Sequence, residues 1–128
     1  MERGNAVYEA WAKEHGLSYH ELLAAISLWE GACTQREICR QWQLAKQTVY
    51  AVIQNFIKRG WLCLKASETD RRNKTARLTQ LGRDQIGPVI QALREQECRV
   101  WEKLGESRGT ALIENTALYI QLFEERKV

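Results

Sequence analysis

The chain has 128 residues, 45% of them hydrophobic, and a net charge of +3, which is one domain's worth of chain with enough apolar material for a core. No apolar run reaches the roughly 18 residues a membrane-spanning helix needs, and Met1-Glu2-Arg3-Gly4-Asn5 lacks the apolar stretch of a secretory signal, so the expectation is a cytoplasmic protein with no membrane partner. Cys33, Cys39, Cys63 and Cys98 sit at separations of 6, 24 and 35, which match no zinc pattern, so neither a metal site nor a cofactor is expected.

In chain order, Asn5 to His15 reads as a short helix. Val7, Tyr8, Trp11 and Ala12 form its apolar stripe, and Gly16 ends it. Ser18-Tyr19-His20-Glu21 is a capping box, with Ser18 on an orphan amide and Glu21 reaching back. The helix it starts carries Leu22, Ala25, Ile26 and Trp29 at helical spacing and stops at Gly31. Thr34-Gln35-Arg36-Glu37 is a second capping box. Its short helix turns Ile38 and Trp42 inward and Arg36 and Arg40 outward. Leu44-Ala45 is the turn. A further helix from Lys46 to Arg59 has Val49, Val52, Ile53, Phe56 and Ile57 as its core face, and Gly60 fits its C′ position.

The period then changes. Trp61 to Ser67 and Lys74 to Leu78 read as two strands around a charged tip, Glu68 to Asn73. Thr79 caps a long helix with apolar positions Ile86, Val89, Ile90, Leu93, Val100, Trp101 and Leu104. Gly87-Pro88 is a candidate kink in it. After Glu106-Ser107 a last helix carries Leu112, Ile113, Ala117, Ile120, and Leu122 or Phe123. The fold class is therefore mainly α with a small β-hairpin.

Charge is unevenly spread. Residues Thr34 to Arg77 hold ten basic and three acidic side chains, while the rest of the chain holds nine basic and thirteen acidic ones. A basic middle between acidic flanks suits a polyanion. The two helices from Thr34 to Arg59 form a helix–turn–helix, whose second helix can enter a major groove while the first crosses the backbone. With the apolar face inward, Lys46, Gln47, Thr48, Tyr50 and Gln54 are left outward for double-stranded DNA. Gln pairs with adenine, Thr offers a methyl or hydroxyl, and Lys reaches guanine or phosphate. The tip adds Asp70, Arg71, Arg72 and Lys74. An arginine there suits a narrow minor groove, with Asp70 orienting it. Thr34, Arg36, Lys58, Arg59 and Lys65 are candidates for sequence-independent contacts to the DNA backbone.

Thr34-Gln35-x-Glu37-Ile38, Lys46-Gln47-Thr48-Val49, Lys58-Arg59-Gly60-Trp61-Leu62, Asp70-Arg71-Arg72 and Leu78-Thr79-x-x-Gly82 resemble successive motifs of the multiple-antibiotic-resistance regulator (MarR) family. The resemblance covers Leu17 to Ile86 without a gap. It implies a single domain over 1–128, with a winged helix–turn–helix DNA-binding lobe at 17–82. Residues 1–16 and 83–128 would form a helical dimerisation region. It places Gln47, Thr48 and Tyr50 on the recognition helix, Arg72 on the wing and Asp70 as the acid that steadies it. Two departures stand out. Ala45 occupies a position where the family often has a capping serine, and the N-terminal helix is short.

The reading is a sequence-specific transcriptional regulator, a ligand-responsive repressor, binding a pseudopalindromic operator as a homodimer. By the resemblance, a small aromatic or phenolic effector is a further partner, with Tyr8, Trp11, Tyr19, His20 and Trp29 as candidates for its cleft. Two alternatives stay open. One is a winged-helix protein-interaction module without DNA reading. The other is a redox-sensing regulator, for which Cys33 is the candidate thiol because it lies beside a capped helix start whose dipole favours the thiolate. No catalytic constellation is visible, and an enzyme is not expected.

Overall fold

The computed structural model describes residues 2–66 and 73–125, apart from the side chains of residues 2–4. Six helices and three strands follow in the order α1 (Glu2–Glu14), α2 (Tyr19–Glu30), β1 (Cys33–Thr34), α3 (Gln35–Trp42), α4 (Lys46–Lys58), β2 (Leu62–Ala66), β3 (Lys74–Leu78), α5 (Gln80–Leu104) and α6 (Glu106–Glu125). The chain divides into two compact units, Met1–Gln91 and Ala92–Val128. The architecture is mainly α with a small hairpin, as the periodicities imply.

Local chemistry sets the element ends. Ser18 accepts a hydrogen bond from the Glu21 amide at 3.1 Å, and Glu21 Oε1 accepts from the Ser18 amide at 2.8 Å. Thr34 and Glu37 repeat the exchange at 3.1 and 2.9 Å. Each box satisfies two donors that a helix start leaves open. Gly60, at φ +79, turns the chain from α4 into β2, in a backbone region that costs a side-chain-bearing residue about 1 kcal/mol or more. The first helix begins at Glu2, ahead of the Asn5 start that its apolar stripe implies. Helix α5 continues through Pro88.

The sheet has the order β1-β3-β2 and is antiparallel throughout. Leu62 faces Leu78 and Ala66 faces Lys74 across the hairpin. The strand β1, which pairs Cys33 with Ala76 and Thr34 with Thr75, is a correction to the two-stranded expectation. Two residues carry no periodicity, so only pairing reveals them. The largest fully buried side chains are Phe56, Leu22, Leu28, Ile38, Ile53, Ile86 and Val49, which come from α2, α3, α4 and α5 within the first unit. Leu62, Ala76 and Leu78 close this core from the sheet.

Thr79 joins the hairpin to α5. Its hydroxyl donates to the Gly60 carbonyl at 2.6 Å and accepts from the Gly82 amide at 3.0 Å, while its amide donates to the Trp61 carbonyl at 2.9 Å. A Cβ on Gly82 would run into the Trp61 carbonyl. The Thr79-x-x-Gly82 spacing thus has a steric cause. The second unit holds the end of α5 and all of α6, joined at Gly105 with φ +86. Gly109 lies flat against the Trp101 ring, with no room for a Cβ. No helix among the described residues is long and apolar enough to cross a membrane.

Candidate nucleic-acid interface

The helix α3 leads into α4 through a turn of three residues. Gln43 takes a left-handed conformation at φ 54, ψ 45, and the Leu44 amide donates to the Cys39 carbonyl at 3.0 Å. The expected turn at Leu44-Ala45 therefore begins one residue earlier, at a non-glycine residue that sequence does not single out. Ala45 is the N-cap of α4 and supplies no side-chain bond. The first turn of α4 keeps its amides without a side-chain cap.

The two faces of α4 separate cleanly. Val49, Val52, Ile53 and Phe56 are buried. Lys46, Gln47, Tyr50 and Gln54 are exposed, with Tyr50 at 55%, and Thr48 is half-buried. Arg36 from α3, Lys46, Tyr50 and Gln54 from α4, and Lys74 from β3 line one cleft of ≈ 850 Å³, floored in part by Cys39 and Leu64. Three cations from three elements thus converge beside the exposed face of α4. Lys65 is exposed on β2, opposite Thr75. Asp70, Arg71 and Arg72 lie outside the described residues.

The other end of α4 is held differently. Thirteen residues at about 1.5 Å each set Lys58 and Arg59 roughly 20 Å from Lys46. Lys58 is exposed. Arg59 is committed within the molecule, because its guanidinium is 3.8 Å from Glu21 Oε2 and 4.8 Å from the Trp61 ring centre. Asn55 donates to the same Glu21 oxygen at 2.6 Å. Glu21 is a buried carboxylate with partners on both oxygens, so it fastens the start of α2 to the end of α4. Its spacing from Ser18 reveals the cap alone, and no signal in one chain announces its long-range partner Asn55. Thr34 serves as the α3 cap, and Arg36 beside it is exposed.

The five aromatic candidates for an effector cleft are distributed along α1 and α2. Trp11 stacks on His15 at 3.8 Å. Tyr19 donates to Asn5 at 3.4 Å and lines a cavity of ≈ 360 Å³ with Glu9, Lys13 and Leu17. His20 is exposed, with its ring 5.9 Å from that of Tyr19, and Tyr8 is 40% exposed. Trp29 is apart from these: Arg83 covers its ring at 5.0 Å and Gly87 abuts its edge. Cys33 departs from expectation. Burial, and secondarily the Glu37 carboxylate, push its thiol up from 9.0 to about 11. Desolvation outweighs the helix dipole, which acts on a group its own strand has half covered. Among the described residues no three His, Cys, Asp or Glu side chains gather into a metal-binding group.

A helix–turn–helix beside a small antiparallel hairpin, packed on one shared core, is a winged helix–turn–helix. A model of the MarR family matches residues 16–73. That segment is similar to MarR-family sequence, and the fold around it is a winged-helix fold of the kind those regulators have. A MarR family regulator from Neisseria meningitidis is 27% identical, with a TM-score of 0.82 over 94% of this chain and 86% of that one. The Bordetella bronchiseptica protein BpsR, whose DNA binding is regulated by 6-hydroxynicotinic acid, shares the fold at 18% identity and a TM-score of 0.74, over 92% of this chain and 85% of BpsR. Overoxidized AbfR, solved bound to DNA, shares it at 23% identity and a TM-score of 0.67, over 95% and 85% of the two chains. None of the curated proteins matches the chain in sequence.

Proposed function

We propose that this protein is a transcriptional regulator that reads double-stranded DNA with α4, as a homodimer on a pseudopalindromic operator, and acts as a ligand-responsive repressor. One observation carries the reading: the exposed face of α4 opens onto a cleft that Arg36, Lys46 and Lys74 make positive from three elements. Such a face, with its apolar side spent on the core, leaves Lys46, Gln47, Tyr50 and Gln54 for base edges. Thr48, half-buried, suits a phosphate through its hydroxyl. Arg36, Lys58, Lys65 and Lys74 supply backbone contacts, and Arg71 and Arg72 the wing. Arg59, 37% exposed, is a further candidate for a backbone contact while it also pairs with Glu21. The concentration of cations favours a polyanion over a neutral protein surface.

The homodimer is supported by the second unit. Leu112, Ile113, Leu118, Tyr119, Ile120, Leu122 and Phe123 on α6 are each 45–61% exposed. An apolar helix this exposed is normally covered by another surface. A second copy covers it with the same residues. Sedimentation should give twice the 14.9 kDa chain mass, and Leu118→Glu should shift it to monomer. The effector is proposed between α1 and α2, at Tyr8, Trp11, Tyr19 and His20, since Trp29 is already covered. BpsR is a neighbour in fold that answers such an aromatic acid. Phenolic acids that leave melting and DNA affinity unchanged would remove the effector from the proposal. DNA binding itself is tested by selecting duplexes from a random pool at fixed salt. A symmetric recovered site is the expected result.

A further inference from the structure

We infer that Gln35 is a positioning residue for the recognition helix, tying the start of α4 to α3 where Ala45 provides no side-chain cap. The inference rests on the DNA-binding reading for its consequence and on geometry alone for its cause. Gln35 is the first residue of α3, directly after the cap Thr34. Its Nε2 donates to the Lys46 carbonyl at 3.1 Å. Lys46 is the first residue of α4 and one of the cations of the cleft, which Gln35 also lines. A single carboxamide therefore spans the helix–turn–helix at the end where bases would be met.

A capped helix start is held by its own N-cap side chain, typically at about 1 kcal/mol. Here Ala45 gives the first turn of α4 no side-chain cap. The turn before it has the left-handed Gln43 and a hydrogen bond from the Leu44 amide to Cys39. At the far end, Glu21, Asn55 and Arg59 fasten α4 to α2. Helix α4 is thus anchored at its C-terminal end, and at its reading end Gln35 adds a hydrogen bond to α3 beside the buried Val49. Loss of this tie leaves the core of Val49, Ile53 and Phe56 untouched while freeing Lys46 and Gln47 to shift. Specific contacts need a fixed register, whereas contacts to phosphate tolerate displacement.

The test compares wild type, Gln35→Ala, Gln35→Glu and Gln35→Ala combined with Ala45→Ser. Two readouts are taken: amide hydrogen exchange at Tyr50, whose N–H bonds the Lys46 carbonyl in α4, and affinity for the pool-selected duplex against a scrambled duplex of equal length. Both Gln35 variants should exchange faster at Tyr50. Both should lose preference for the selected duplex by roughly threefold to tenfold, the range of one net hydrogen bond. The scrambled duplex should bind Gln35→Ala almost unchanged, while Gln35→Glu, which adds a negative charge to the cationic cleft, should weaken both duplexes. Ala45→Ser, by capping α4 directly, should restore exchange protection but not preference, because its hydroxyl takes a free amide of α4 and makes no tie to α3. Unchanged exchange at Tyr50 overturns the inference, as does an equal loss on both duplexes in Gln35→Ala or a full recovery of preference with Ala45→Ser. If wild type prefers no duplex at all, the DNA-binding reading falls, and the exchange measurement still decides whether Gln35 holds the helix start.

Discussion

Single residues in this molecule show how a neighbour reverses a local rule. Cys33 sits beside a helix start, where the dipole favours a thiolate, yet its thiol is raised to about 11 by burial and by Glu37. At pH 7.5 its thiolate fraction should be about a hundredfold below that of a thiol at 9.0. Alkylation with iodoacetamide should therefore label exposed Cys98 well before Cys33, and Cys33 labelling should keep rising to pH 11. Early labelling of Cys33 at neutral pH would contradict the desolvated site. The same shift has a sign for stability. Between pH 9 and 11 the unfolded thiol has lost its proton and the folded one has not, so stability falls as pH rises through that window.

Glu21 is the second such residue. Its carboxylate takes the Ser18 amide, Asn55 and Arg59 together. Glu21→Ala removes a cap and a buried acceptor at once, and should cost about 2–3 kcal/mol by denaturant unfolding. Glu21→Gln keeps the shape and should cost about half as much. A loss under about 0.5 kcal/mol for the alanine variant would show that Asn55 and Arg59 find equal partners in water. Arg59 supplies little of the total, since that side chain is 37% exposed and surface pairs contribute little.

Elements were legible where period and caps agree. The boxes at Ser18 and Thr34, the core stripe of α4 and the Thr79 cap all follow from side-chain spacing, and each stands where its spacing puts it. Strand β1 was illegible, because two residues draw their structure from Ala76 and Thr75 on β3. Gln43 was equally hidden, since its left-handed backbone is imposed by the turn between two packed helices and not by its own preference. The close approach of Gly82 to Trp61 is an element-scale device that pins α5 onto the hairpin. Gly82→Ala should lower stability by about 2 kcal/mol or more, because the obstacle is a backbone carbonyl that no rotamer change can move. A melting temperature within a degree of wild type would mean that the α5 start can shift freely.

For the molecule as a whole, the cleft beside α4 was legible in part. Sequence named Arg36, Lys46, Tyr50, Gln54 and Lys74 separately, and folding brings them to one cavity. Arg59 was named with them by its charge, and its pairing with the distant Glu21 was not legible. The apolar face of α6 could be read as a stripe in the sequence, but whether it is covered within the chain is a tertiary fact. These features combine into one claim: a cationic, helix-led face binds duplex DNA in a defined register. The most direct measurement is the affinity of the full chain for a pool-selected duplex across salt concentrations, alongside Lys46→Ala and Lys74→Ala. Each neutralised phosphate adds about 0.9 to the slope of log affinity against log salt. The account predicts a symmetric selected site, a steep salt dependence, and a slope shallower by about one for each phosphate that a variant no longer neutralises. No selected sequence, with a flat salt dependence unmoved by either substitution, would contradict it.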